Sequence, residues 1–388
     1  MHIKQQSRLL GTMALIGGFF TGGIALTSAA GAQSVPASNA HALFIETDAL
    51  SGNSILSYLR GSDGTISFAG SFSTDGNGAA GANSSAAPLG SQDGLVLADG
   101  DHQLIAVNAG SDTISVFHVN GSSLRLTQTV PSGGEFPNSV AVHGNLVTVL
   151  NAGGVGAIQE FSLVKGKLVA LAGENRSLGL SNTNPPDYVH GAGQVGYTPN
   201  GAHLIVTTKD STNSFVVFSV NAQGAIGATP TVTAADNPVP YDFNFDAAGH
   251  LFAIEAGNSS ASVYNINSDG SLTSLGTVSD GAKALCWVSS ANGYFYGSNA
   301  GSGNVTSFDE SSTGVPQIVS ALAATTHAGT TDSVVSPDGK FFYVESGGAG
   351  TIDVFAIGSG GALNPVTTVY NVPTASEGIA ISKPPPKK

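Results

Sequence analysis

Ile105-Ala106-Val107-Asn108-Ala109-Gly110-Ser111-Asp112-Thr113-Ile114-Ser115-Val116-Phe117 is the stretch that decides the fold. An apolar run ends in Asn, a turn containing Gly follows, and a β-branched and aromatic run resumes, which is the pattern of strand, tight turn, strand. The phrase returns as Val149-Leu150-Asn151-Ala152-Gly153 leading to Phe161, and again as Gly297-Ser298-Asn299-Ala300-Gly301 leading to Phe308. Recurrence at a period of about 44 residues is the mark of a repeat architecture.

Working outward, each unit has a polar residue ending one strand and an aromatic closing the next. The pairs are Glu46 with Tyr58, Asn108 with Phe117, Asn151 with Phe161, Lys209 with Phe218, Glu255 with Tyr264, Asn299 with Phe308 and Glu345 with Phe355. A Gly-centred turn and a short fourth strand follow each pair, as at Lys165-Gly166-Lys167-Leu168 and Asp269-Gly270-Ser271-Leu272. All but the first unit also carry a preceding strand with its own turn, such as Val195-Gly196-Tyr197 before Pro199-Asn200-Gly201. Four strands in an antiparallel meander, seven times over, predict an all-β seven-bladed β-propeller across residues 41–382. The first unit lacks its innermost strand. Glu377-Gly378-Ile379-Ala380-Ile381-Ser382 supplies it from the other end, so the C-terminal strand is expected to close the ring and remove the open edges.

The flanks read differently. Lys4 and Arg8 precede a Gly-rich apolar run, and Ala30-Gly31-Ala32 has the small-residue cleavage pattern, so residues 1–32 are expected to be a signal peptide. The expected location is then secreted or periplasmic, with no membrane insertion after cleavage. Residues 383–388 form a polar Pro/Lys tail. Between blades, 74–92 is rich in Gly, Ala and Ser and is expected to be mobile. The stretch 174–193, with Asn184-Pro185-Pro186-Asp187-Tyr188 and His190, is expected to be ordered.

Charge narrows the partners. Without Lys4 and Arg8, 11 of the 13 basic residues stand against 26 acidic ones, a net charge of −15. Nucleic acid is excluded as a natural partner, and a small-molecule substrate and a monomeric chain are expected. The one cysteine, Cys286, permits no internal disulfide and is expected in the core. No zinc-ligand spacing, nucleophile elbow or dinucleotide fingerprint occurs.

The repeat register points to candidate chemistry. The start of each innermost strand reads Asp93, Asn138, Gln194, Asp242, Cys286, Asp332 and Glu377. In an antiparallel meander this ring shares a channel mouth with the ring Glu46, Asn108, Asn151, Lys209, Glu255, Asn299 and Glu345. Together they hold seven carboxylates and one lysine. One expectation is structural, with these residues capping strand ends or bonding the neighbouring blade's backbone. The other is functional: crowded carboxylates raise one another's pKa values and serve as a base, or hold a cation. Glu46, Asp332, Glu345 and Glu377 are the candidate metal ligands. No cofactor is required, calcium being the one candidate. His190 and His327 lie in loops on the mouth side, and His143 and His250 at turns on the opposite face.

The phrases Val195-Gly196-Tyr197-Thr198-Pro199-Asn200-Gly201, Ala284-Leu285-Cys286-Trp287-Val288, Ser298-Asn299-Ala300-Gly301-Ser302-Gly303 and Ser336-Pro337-Asp338-Gly339-Lys340-Phe341-Phe342-Tyr343-Val344 carry a family resemblance. Over residues 41–382 the sequence resembles the seven-bladed lactonase-type propellers, the family of 6-phosphogluconolactonase and carboxymuconate cyclase, and within it a secreted branch. The resemblance implies hydrolysis or formation of a lactone at the channel mouth. That chemistry needs a base to activate water and a donor for the oxyanion. It assigns His190 and Glu255 as base or orienter and Lys209 as oxyanion stabiliser, with Asp242 and the mouth-side Arg176 as further catalytic candidates. The repeat phrases are shared with non-catalytic surface propellers, so an extracellular binding module is the alternative function and an enzymatic role is left open.

Overall fold

The computed structural model describes residues 41–84 and 86–383. The signal peptide expected over 1–32 lies outside them, as does the tail beyond Lys383. Within them, 28 strands form seven four-stranded antiparallel sheets. Numbered by second strand, the blades 1 to 7 are those of His41–Glu46, Gln103–Asn108, Leu146–Asn151, His203–Thr207, Leu251–Glu255, Tyr294–Asn299 and Phe341–Ser346; in blade 2, Leu95–Ala98, Gln103–Asn108, Thr113–Asn120 and Ser123–Pro131 succeed one another from the centre outward. Among the described residues no helix is long and apolar enough to cross a membrane.

The second strand of each blade is buried on both faces, because the neighbouring blades pack against it. Gln103–Asn108, His203–Thr207, Leu251–Glu255 and Phe341–Ser346 are buried at every position. This is why they read as continuous apolar runs rather than alternating ones. Outer strands alternate, as Thr231–Ala234 does. Aromatic side chains join consecutive blades. Phe252 of blade 5 stacks on Phe295 of blade 6 at 3.9 Å, and Tyr296 of blade 6 meets Phe342 of blade 7 at 5.2 Å. Each such ring contributes roughly 1.5–3 kcal/mol by leaving water.

Ring closure is as the sequence predicts. Ile379–Ile381 pairs antiparallel with His41–Glu46, with Leu43 opposite Ile381 and Ile45 opposite Ile379. The Ser382 hydroxyl accepts the Ala42 N–H at 2.9 Å and secures the outer end of this pairing.

The linker over 74–92 departs from expectation: it is packed rather than free. Gly110 of the opening phrase does not have a left-handed φ; Asp112 does, at 53°. Gly110 is required because the carbonyl of Gly78 lies 2.2 Å from where a Cβ would sit. The linker crosses this turn, with the Gly110 N–H donating to the Asn77 carbonyl at 3.0 Å. It then meets the second long loop. Ala82 and Asp187 form a parallel bridge, and Ala82 N–H donates to Pro186 O at 2.8 Å. The Gly and Ala residues that suggested a flexible tether allow this close backbone contact.

Candidate functional site

The channel has two unlike ends. At the end where innermost strands begin, the two long loops form a plug. Leu89, Ser91 and Gln92 are buried, and Ala87 packs with Tyr241, Cys286 and Trp287. The Trp287 indole donates to Ser91 O at 2.7 Å. Backbone N–H groups of Leu89, Gly90 and Ser91 donate to the Glu377 carboxylate at 2.7, 3.1 and 2.9 Å. Burial raises the Glu377 pKa to about 7, and these three bonds oppose the rise.

Lys209 belongs to the same plug. It sits at the start of a short 3-10 turn with φ of 45° and is 1% exposed. Its ammonium donates to Gly90 O at 2.7 Å and to Tyr188 O, one carbonyl from each loop, and lies 5.0 Å from the Tyr241 ring centre. Burial pulls its pKa down to about 8, against the pull of Glu377. The lysine that sequence singled out as oxyanion stabiliser therefore spends its donors on holding the plug.

The other candidates are dispersed. His190 is half-exposed above the plug, between Asp187 at 3.2 Å and Asp210 at 3.1 Å. Glu255 is buried and accepts four bonds: Asn237 N–H at 3.2 Å, Asn237 Nδ2 at 2.7 Å, Ser262 Oγ at 2.5 Å and Tyr264 Oη at 2.8 Å. Asp242 accepts the N–H groups of Phe243 and Val288, each at 2.6 Å, and so ties blade 5 to blade 6. Asp332 does the same from blade 7 to blade 1 through Ser333 and Ile379. Gln194 Oε1 accepts Phe243 N–H from blade 4 to blade 5. The polar ring thus bonds neighbouring blades, as its structural reading predicts.

Arg176 is placed differently from expectation. It lies in the outer strand Lys167–Ser177 of blade 3, not in a mouth-side loop. The register shift between Gln159 and Phe161 lets this strand run eleven residues. Its guanidinium pairs with Glu174 at 2.8 Å and donates to the carbonyls of Ile226 and Gly227, fastening blade 3 to blade 4.

The opposite end of the channel is accessible. Two adjoining recesses of about 210 and 300 Å³ are lined by the innermost strands, and both reach Asp93, Gln194, Phe243 and Asn244. Asp93 is only partly buried and has a left-handed φ of 63°. Its Oδ2 accepts Gln194 Nε2 at 3.0 Å. Burial raises its pKa, while bonds from Gln194 and Gln92 oppose the rise. The sequence placed Asp93 in the ring and not among the catalytic candidates. Nothing in the sequence distinguishes it from Asp242 in the same ring; the difference is that both recesses reach up the channel to Asp93, while Asp242 lines neither.

Residues 203–376 match the family model described as Lactonase, 7-bladed beta-propeller. Among solved structures, a protein from Bacteroides fragilis described as a 6-phosphogluconolactonase superposes with a TM-score of 0.68 at 18% identity, over 89% of this chain and 98% of its own. The periplasmic gluconolactonase of Pseudomonas aeruginosa gives 0.68 at 17% identity, over 89% and 99%. A protein from Lactobacillus plantarum gives 0.69 at 17%, over 89% and 99%. No curated protein sequence matches significantly. These likenesses support the lactonase-type seven-bladed β-propeller family for this chain.

Proposed function

We propose that the protein is an exported lactonase-like hydrolase that opens a small uncharged lactone in the accessible end of the propeller channel. The observation that carries this reading is Asp93: a partly exposed residue where both recesses meet, its carboxylate accepting the Gln194 amide at 3.0 Å. In the proposed reaction its carboxylate takes a proton from water as the hydroxide attacks the lactone carbonyl. The Asn244 amide, lining the same recesses, is the donor offered to the oxyanion. The tetrahedral intermediate then collapses and the ring oxygen leaves with a proton, giving a hydroxy acid.

The substrate charge follows from the lining. No Lys, Arg or His borders either recess. A phosphorylated lactone needs cationic groups for its phosphate, so a neutral sugar lactone suits this channel better than the phosphorylated substrate named for the Bacteroides relative. The test is a panel of neutral and phosphorylated lactones followed by acid release. Turnover of a neutral lactone that falls at least 100-fold in Asp93→Asn, with the melting temperature kept, is expected. Preference for the phosphorylated form, or no turnover of any lactone, contradicts the reading.

The plug favours the second reading, a non-catalytic extracellular binding module. Lys209 and Glu255 have their hydrogen-bonding groups engaged, and such saturation is how a scaffold uses polar residues. Binding of a neutral lactone or sugar without any turnover would select it.

A further inference from the structure

The third strand of each blade ends on the face away from the plug, and the residue standing there varies. From blade 1 to blade 7 it is Arg60, Asn120, Val164, Ser219, Ile266, Glu310 and Ile357. Blade 6 alone places an acid at that position. The adjoining turn of blade 5, Asp246-Ala247-Ala248-Gly249-His250, joins Pro240–Phe245 to Leu251–Glu255 and brings a second carboxylate and an imidazole to the same face. The scaffold does not require this combination, since the other blades close their third strands without an acid.

The three side chains converge. Asp246, His250 and Glu310 each offer one ligating atom, and these atoms lie within 4.8 Å of one another, the one such group among the described residues. The carboxylates expected from sequence to hold calcium, Glu46, Asp332, Glu345 and Glu377, form no group of this kind. The turn aims its ligands: Asp246 Oδ1 accepts the Ala248 and His250 N–H groups at 2.9 and 2.7 Å, which directs Oδ2 to His250 Nδ1 at 2.8 Å. Glu310 arrives from the other blade with Oε1 shielded from solvent and without a hydrogen-bond partner. A buried carboxylate oxygen is costly to leave so, and an ion among the three groups would satisfy it. Burial, and then the neighbouring Asp246, hold the Glu310 carboxyl up at about 8, so the ion would take the place of a proton there. The group is also reachable. The Asp246 and His250 side chains are 14% and 26% exposed, and both line a recess of about 570 Å³ between the turns of blades 4 and 5.

We propose that Asp246, His250 and Glu310 form a divalent transition-metal site across the junction of blades 5 and 6, with zinc its foremost ion. One imidazole nitrogen and two carboxylate oxygens, without a thiolate, make a zinc donor set of the open kind, in which three protein ligands leave a position for water. The imidazole selects against calcium and magnesium, which take oxygen ligands. The corresponding turn of blade 2 lacks this arrangement: the His102 ring bonds the Asp99 carbonyl at 2.6 Å, and no group of three ligands forms there. The ion would fasten blade 5 to blade 6. None of the three residues lines the recesses at Asp93, so lactone turnover is not the readout.

The test is titration calorimetry and thermal melting of the whole protein with zinc chloride alone, against a chelator. One zinc ion per chain is expected, with Tm raised by about 5 °C at a hundred times Kd. Glu310→Gln and His250→Gln, which lie on different blades, should each keep the parent's circular dichroism and bind zinc at least tenfold more weakly; should one misfold, the other decides. Cobalt chloride in place of zinc should give the visible absorption of a site with a nitrogen ligand, and His250→Gln should abolish it. His102→Gln should bind zinc as the parent does, and excess calcium chloride should not displace the ion. Absence of zinc uptake, uptake unchanged in the folded Glu310→Gln or His250→Gln protein, uptake lost in His102→Gln, or displacement by calcium overturns the proposal.

Discussion

The two ends of the channel are built from the same repeat and differ in what covers them. At the plugged end, loop backbone meets the polar ring: three N–H groups bind Glu377, and two carbonyls bind Lys209. Beneath the plug, the recesses that enter from the other end reach the same ring, and Asp93, Gln194 and Asn244 border free space. A count of carboxylates at a propeller mouth therefore does not locate chemistry. What matters is whether backbone groups have already taken their bonding capacity. Within the plugged end the contrast recurs at a single repeat position, where Glu255 has four donors and Glu345 none.

The largest way to break this comparison is to remove the strand that both ends share. Deleting residues 377–388 takes away the innermost strand of blade 1 and the carboxylate that binds the plug. No cooperative unfolding transition should remain; a truncated protein that melts like the parent would contradict the closure. Next, Glu255→Ala strands four donors in the interior and should cost about 3–5 kcal/mol. Glu345→Gln should cost little, because no donor is bonded to its carboxyl group and none is left behind. Denaturant midpoints measure both, and equal losses would erase the distinction.

Lys209→Met should destabilise by about 2 kcal/mol, since the carbonyls of Gly90 and Tyr188 lose their donor. Faster proteolysis within 74–92 would mark a loosened plug. The smallest effect concerns Glu160, which accepts Tyr197 Oη at 3.2 Å and leaves Oε2 unpartnered. Burial raises its pKa to about 7. A folded-state pKa above the unfolded value of 4.5 means the folded protein holds the proton more tightly. That stabilisation is complete below pH 4.5 and is lost as pH rises through 7. Between pH 5 and 8 stability should fall by about 1–2 kcal/mol through this group, and Glu160→Gln should flatten that part of the profile.

Blade number, strand order and ring closure were legible because each rests on local periodicity, such as the Asn108-to-Phe117 hairpin and its recurrences. The role of the ring as an inter-blade tie was legible too, since Asp242, Asp332 and Gln194 recur at one register. The plug was not. Its contacts join residues far apart in sequence, Leu89 with Glu377 and Gly90 with Lys209, and composition over 74–92 carries no trace of them. Arg176 was misplaced for a similar reason, a bulge that lengthens one outer strand. Glu255 and Glu345 are the same residue type at the same slot, and only their neighbours separate them.

The proposed chemistry belongs to the recesses that reach Asp93, and the plug above the ring is structural. The most direct measurement is kcat/KM on a neutral lactone for Asp93→Asn and Lys209→Met side by side. A loss of at least 100-fold, carried mainly by kcat, is expected in the first and a change below threefold in the second. Retained turnover in Asp93→Asn together with loss in folded Lys209→Met would contradict it.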